Sequence, residues 1–199
     1  MSNVLLIFIR NPELGKVKTR LARTVGEAEA LRIYRILLEK TRQAAVRVGS
    51  ERWLFYSDRV ETGDEWPEAA FRKFAQQGAD LGARMEHAFR QAFEAGAGKV
   101  VLIGSDCPEL DGALLQEAFR VLDEVDFVLG PALDGGYYLL GMKQPAPSLF
   151  RGIAWSTDAV QAETLGKIAA ADKTVALLRE LTDVDTEEDW RAFLEKIVQ

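Results

Sequence analysis

The sequence predicts an α/β fold, and three observations predict it. Short apolar runs bounded by turn residues alternate with longer segments of helical period, as strands do between crossover helices. Lys99 to Ile103 is short, rich in β-branched residues and closed by Gly104, the pattern of a strand buried on both faces. Polar clusters directly follow several of these runs, where open parallel sheets collect their ligands.

Taken in order, Val4 to Ile9 reads as the first strand. A loop Arg10 to Arg20 follows it, then a helix through Glu27 to Val48 with Leu31, Tyr34, Leu37 and Leu38 on one face. Trp53 to Tyr56 is the second strand, and Phe71 to Phe74 reads as a short third. Asp80 stands where it can cap a helix whose stripe is Leu81, Met85, Ala88, Phe89, Ala92 and Phe93. After Lys99 to Ile103, a helix from Asp111 to Leu122 turns Leu114, Leu115, Ala118 and Phe119 inward. Phe127 to Leu129 and Tyr137 to Met142 are the next strands. Helices over Asp158 to Ala169 and Glu187 to Val198 flank an extended piece, Thr174 to Leu177, and Pro145 and Pro147 mark a surface loop.

The chain of 199 residues has 48% hydrophobic and 28% charged residues, which predicts one ordered domain, 1–199, with a sizeable core. With 25 Lys and Arg against 31 Asp and Glu the net charge is -6, which argues against a polyanionic partner and so against nucleic acid. The run Val4 to Ile9 is far shorter than the ~20 apolar residues of a membrane span, and no membrane or export signal is read. A lone cysteine, Cys107, excludes an internal disulfide and fits a reducing compartment, so a cytoplasmic location is expected.

Three clusters carry the chemistry. Between the first strand and helix, Arg10, Gly15, Lys16, Lys18 and Arg20 suit a polyphosphate: the glycine permits close backbone approach, the cations neutralise oxygens, and the following helix end favours anions. The GxxxxGK[ST] spacing of a P-loop is absent, and a solvated basic loop is the bland alternative. The second cluster, Gly104-Ser105-Asp106-Cys107-Pro108, places Asp106 at a strand end, suited to magnesium shared with substrate phosphates. A turn closed by the Asp106 side chain explains the same letters. If Asp106 awaits a metal it is an electrostatic liability in the empty protein, so Asp106→Asn is expected to leave stability unchanged or raise it. Cys107 is expected to be merely small and buried.

In the third cluster, Asp134 can touch sugar hydroxyls or act as a base, while Gly135 and Gly136 let the backbone approach a ligand. A plain Asp-Gly hairpin turn is the alternative. Asp185 or Thr186 suits an N-cap of the last helix, and Trp155-Ser156-Thr157-Asp158 reads mainly as a helix start. His87, the only histidine, lies off its helix's apolar stripe and is expected at the surface, with no Ser-His-Asp triad around it.

The stretches FIRNPELGKVKTRLA, QGADLGARM, IGSDCPEL, GPALDGGYYLLG, IAWST and LTDVDTEEDW together resemble the DUF2064 family, over nearly the whole chain from Ile7 to Trp190. That family is grouped with nucleotide-diphospho-sugar transferases of the glycosyltransferase-A type, some members being labelled arsenosugar-biosynthesis glycosyltransferases. The resemblance implies a Rossmann-like three-layer α/β/α sandwich with a mostly parallel mixed sheet, nucleotide on about 1–110 and acceptor on about 111–199. It assigns Arg10, Gly15, Lys16, Lys18 and Arg20 to the phosphates and Leu81, Gly82 and Arg84 to the segment beside the base. Asp106 takes the place of the DxD-type metal aspartate, and Asp185 resembles the aspartate of the late VDTPEDL motif of cytidylyltransferases. Gly135, Gly136, Trp155 and Ser156 fall to the sugar or acceptor, with Asp134 and Lys16 as catalytic candidates.

The sequence departs from the pattern by having one aspartate in SDCP where many glycosyltransferases have two, so it also resembles the DxP turn of guanylyltransferases. The expected function is glycosyl transfer from a nucleotide-diphospho-sugar to a small-molecule acceptor with Mg2+ or Mn2+. The alternatives are nucleotidyl transfer from a nucleoside triphosphate, releasing pyrophosphate, and noncatalytic nucleotide-sugar binding.

Overall fold

A computed structural model describes residues 2–198. Its sheet has seven strands among the described residues: β1 (Ser2–Ile9), β2 (Glu51–Tyr56), β3 (Arg72–Ala75), β4 (Ala97–Ile103), β5 (Phe127–Pro131), β6 (Tyr137–Met142) and β7 (Val175–Leu177). The spatial order is β3-β2-β1-β4-β6-β5-β7. β6 runs antiparallel to both neighbours, and the other pairings are parallel.

Helices cover both faces because the side chains of a strand alternate. From β1, Leu5, Ile7 and Ile9 pack with α1 (Thr19–Val25), α2 (Glu27–Val46), α4 (Gly112–Val121) and α6 (Glu187–Val198). From the same strand, Val4, Leu6 and Phe8 face α3 (Leu81–Glu94) and α5 (Val160–Ala170). The result is the three-layer sandwich with a mixed sheet. No helix among the described residues is long and apolar enough to cross a membrane.

Two details depart from the sequence reading. The expected loop to Arg20 ends earlier, because the chain enters α1 at Thr19, and Gly26 (φ +83°) separates it from α2. α1 buries only Leu21, so it carries too little apolar period to be seen in the sequence. The helix that follows the basic loop is therefore this seven-residue turn and not the long one, which withdraws the helix-end argument for anion binding. The Pro145 and Pro147 segment is not only surface, since the 3-10 turn Pro147–Phe150 buries Leu149 and Phe150 against α3 and α5.

The order β2-β1-β4 fixes the functional end. From β1 the chain moves outward to β2 and β3, then returns to the other side of β1 as β4. The loops leaving β1 and β4 thus part in opposite directions at a topological switch point, the place where open sheets of this kind bind ligands.

Candidate functional site

The loop after β1 is held open by buried polar side chains. Asn11, 3% exposed, accepts on Oδ1 from the Asp58 amide at 3.1 Å and donates through Nδ2 to the Arg59 carbonyl at 2.9 Å, tying the loop to the one after β2. Tyr34 of α2 ties it to β4. Its hydroxyl accepts from the Arg10 amide at 2.8 Å and lies 3.3 Å from Ser105 Oγ. Burial, chiefly, pushes the Tyr34 hydroxyl up to about 12, so it stays a neutral strut. Sequence reading took Tyr34 as an apolar face residue; a hydroxyl on a buried stripe was the available signal.

Between the loops after β1 and β4, Lys18 Nζ lies 2.5 Å from Asp106 Oδ1 and 3.0 Å from Asp185 Oδ1, and Arg20 reaches Asp185 Oδ2 at 3.3 Å. The Lys18 side chain is 5% exposed, against 44% and 37% for the two aspartates. Burial opposes its charge, but Asp106 and Asp185 outweigh burial and hold the ammonium above its ordinary range. The residue stands in the left-handed region, φ 47° and ψ 45°, an uncommon conformation for a lysine that costs roughly 1–2 kcal/mol.

This geometry decides between several readings. The Asp106 side chain is aimed at Lys18 and not at its own turn, which is closed by the Leu110 amide donating to the Cys107 carbonyl at 3.2 Å, while the Asp106 carbonyl accepts from the Val184 amide at 2.9 Å. Asp106 is consequently paired, so its removal is expected to cost stability, contrary to the sequence expectation. Thr186 is the helix cap: its Oγ1 accepts from the Asp189 amide at 3.3 Å while Asp189 Oδ2 accepts from the Thr186 amide at 2.8 Å, a reciprocal box that leaves the Asp185 carboxylate free to face Lys18.

Beneath them lies a residue that sequence reading passed over. Asp183 Oδ1 accepts from the Cys107 thiol at 2.6 Å. Burial, with Asp106 and Asp134 adding to it, pushes the Asp183 carboxyl up to about 6. Burial and the same carboxylate hold the Cys107 thiol far above its usual range, so it is inert as a nucleophile.

The other expected residues are distributed around this centre. Lys16 is exposed and pairs with Glu13 at 2.6 Å, outside the Asp106-Asp185 pair, and Arg10 is also exposed. Gly15 takes φ +74° in the turn between them. Asp134 is exposed at the tip of the β5-β6 hairpin, with Oδ1 accepting from the Gly136 amide at 2.9 Å. The Asp-Gly hairpin turn is therefore real, and it still brings Asp134 close enough to Asp183 to disfavour its charge. A Cβ on Gly135 would lie 2.2 Å from the Asp158 carbonyl.

Gly82 and Trp155, assigned to opposite halves, meet: a Cβ on Gly82 would lie 2.3 Å from the indole Nε1. Leu81 is exposed beside them, Ser156 is exposed in the left-handed region, and Arg84 turns back to the Gly78 carbonyl at 3.2 Å. His87 is half-buried, with Nδ1 inside and unpartnered among the described residues, not at the surface as expected.

Whether a divalent cation fits can be judged from the oxygens. Asp106 and Asp185, on separate loops, direct one oxygen each at a point already marked by an ammonium nitrogen. Two carboxylates with further positions left to phosphate oxygens are what magnesium takes, and manganese suits the same hard donors. No group of three or more metal-ligating side chains occurs among the described residues, and water or phosphate oxygens can fill the positions that two carboxylates leave.

Comparison with known proteins agrees with the fold. A provisionally named nucleotide-diphospho-sugar transferase from Desulfovibrio desulfuricans G20 is 37% identical, with 98% of this chain and 88% of that one covered and a TM-score of 0.89. More distant are Rv0371c of Mycobacterium tuberculosis H37Rv in complex with manganese (16% identity, 98% and 99% covered, TM-score 0.58) and the inositol-1-phosphate CTP transferase of T. maritima (15%, 99% and 94%, TM-score 0.60). At such identities the likeness is one of fold. No curated protein matches the sequence. The model of the family described as an uncharacterized protein conserved in bacteria matches residues 40–157. With that match over more than half its length, the chain belongs to the DUF2064 family.

Proposed function

We propose that the protein is a transferase that moves a sugar from a nucleotide-diphospho-sugar to a small-molecule acceptor, with Mg2+ or Mn2+. The observation that carries this reading is the convergence of Lys18, Arg20, Asp106 and Asp185 at the switch point. Similarity to the Desulfovibrio protein supports the donor class.

Asp106 and Asp185 would hold the cation, which when bound supplies Lewis-acid neutralisation of the diphosphate oxygens. Lys18 and Arg20 stabilise the charge that grows on the leaving phosphate as the bond from the anomeric carbon to its oxygen breaks. The acceptor oxygen bonds to that carbon, the nucleoside diphosphate departs, and the acceptor proton passes to a carboxylate. Asp134 is the candidate base: one of its oxygens is fixed by Gly136, and its exposure allows an acceptor to reach the other. Gly135, Gly136, Trp155 and Ser156 border the acceptor side, and Leu81 and Gly82 the base side. Arg10 and Gly15 belong to the outer phosphate loop. Lys16 joins it by leaving Glu13 and Arg84 by leaving Gly78, while Lys18 and Arg20 already stand beside the two carboxylates that would hold the cation.

Nucleotidyl transfer is the second reading. It is favoured by the carboxylates coming from two loops and not from one DxD, as in the cytidylyltransferase-like motif at Asp185. The leaving product separates the two. Nucleotide sugars and nucleoside triphosphates with sugar phosphates are incubated with Mn2+, and free nucleoside diphosphate and pyrophosphate are measured. Nucleoside diphosphate without pyrophosphate is expected. Pyrophosphate would transfer the assignment to the second reading, and neither product, despite binding, would make the protein a nucleotide-sugar binder.

A further inference from the structure

Lys18 occupies the point that Asp106 and Asp185 surround. Its ammonium is the buried member of the group and the carboxylates are the exposed ones, the reverse of a surface ion pair in which a long lysine reaches outward. The left-handed backbone at φ 47° shows that the position is imposed by the surrounding structure. Lys18 and Arg20 supply two positive charges that balance the Asp106 and Asp185 carboxylates. A divalent cation entering alone would displace or face an ammonium within 3.0 Å of the same oxygens. A cation entering with a diphosphate brings the negative charge to which a displaced ammonium can turn.

Resting on the reading above, we propose that Lys18 is a resident cation that excludes free divalent metal from Asp106 and Asp185 and yields the position only when nucleotide phosphates arrive to receive its ammonium. Metal and nucleotide then bind with a shared coupling free energy, each tightening the other by the same factor. The device keeps the two carboxylates together and charge-balanced between turnovers.

The test is Mn2+ binding followed by electron paramagnetic resonance, alone and with UDP, CDP or GDP, after subtraction of metal taken up by nucleotide in buffer. Wild type is expected to bind Mn2+ about tenfold or more tightly with its preferred diphosphate than without it. Lys18→Gln is expected to bind Mn2+ alone about tenfold more tightly than wild type and to lose most of the nucleotide dependence. A Lys18→Gln protein that is folded yet binds Mn2+ alone no better than wild type overturns the proposal. Should that variant not fold, 15N-lysine-labelled wild type decides. The buried Lys18 ammonium resonance should stay in place with Mg2+ alone and shift with Mg2+ plus the diphosphate, and a shift with Mg2+ alone overturns the exchange. Wild type that binds Mn2+ equally with and without nucleotide refutes only the exchange. Wild type that takes up no Mn2+ under either condition refutes the metal-dependent reading with it.

Discussion

At the scale of single residues, the stability of Asp106 and its chemistry are linked through Lys18. Replacing Asp106 with Asn leaves a buried ammonium with Asp185 alone. Because Asp106 itself is 44% exposed, we expect a loss of about 1–2 kcal/mol and not the larger cost of a fully buried pair. Turnover per folded molecule should fall by roughly two to three orders of magnitude, as when one preorganised charge contact is lost. Urea unfolding and steady-state assay of the same preparation check both, and full activity in the folded fraction would remove Asp106 from the site. Asp183 acts in the opposite sense. With a folded value of about 6 against an ordinary 3.8, the native state keeps a proton that the unfolded chain releases between those values, so the stability contributed by this group falls as pH rises through that window. Asp183→Asn should therefore gain on wild type as pH rises, by up to about 2 kcal/mol at pH 8 after discounting for partial exposure, and by little at pH 4. Denaturant titrations at the two values measure the difference, and an equal effect at both would show that Asp183 is ordinary.

At the scale of elements, the β5-β6 hairpin and α5 are docked through a glycine. Gly135 has φ +87°, its carbonyl accepts from the Gln161 amide at 2.9 Å, and an added Cβ would meet the Asp158 backbone at 2.2 Å. Gly135→Ala should cost more than about 2 kcal/mol, whereas Gly96→Ala, also at positive φ but with open space around it, should cost only about 1. Thermal unfolding of the pair separates close approach from backbone strain, and equal losses would mean that the hairpin does not press on α5. The last helix gives a second test. Thr186→Ala removes the reciprocal cap with Asp189 and should cost about 1 kcal/mol, and no measurable loss would mean that another group caps α6.

At the scale of the whole molecule, the sheet order gathers opposite charges from distant parts of the chain at one end of a net acidic protein. Lys18 and Arg20 from the loop after β1 meet Asp106 after β4 and Asp185 before α6, so a ligand there would clamp loops from both ends of the chain. A nucleoside diphosphate with Mn2+ at about a hundred times its dissociation constant should stabilise the fold by about 2.7 kcal/mol, or a rise in Tm of roughly 5–10 °C for a chain of this size. Thermal-shift measurements should show the metal-dependent part of that rise vanish in Asp185→Asn. Its persistence would place the metal elsewhere.

The sequence by itself determined the strands and the three polar clusters at their ends. Apolar period and turn residues are local properties, so Val4 to Ile9, Lys99 to Ile103 and Tyr137 to Met142 were legible, as was the cap at Asp80. It did not reveal α1, which buries a single side chain, nor Asp183 and Tyr34, whose roles come from neighbours 76 and 71 residues away. Only the tertiary structure decided which of the loop cations faces the carboxylates. Lys16 and Lys18 are two residues apart and chemically equal in sequence, yet the left-handed turn at Lys18 carries its side chain inward while Lys16 stays with Glu13 at the surface. That choice depends on β4 returning beside β1, because charge selects partners by distance in space and no spacing along the chain encodes a contact 167 residues long.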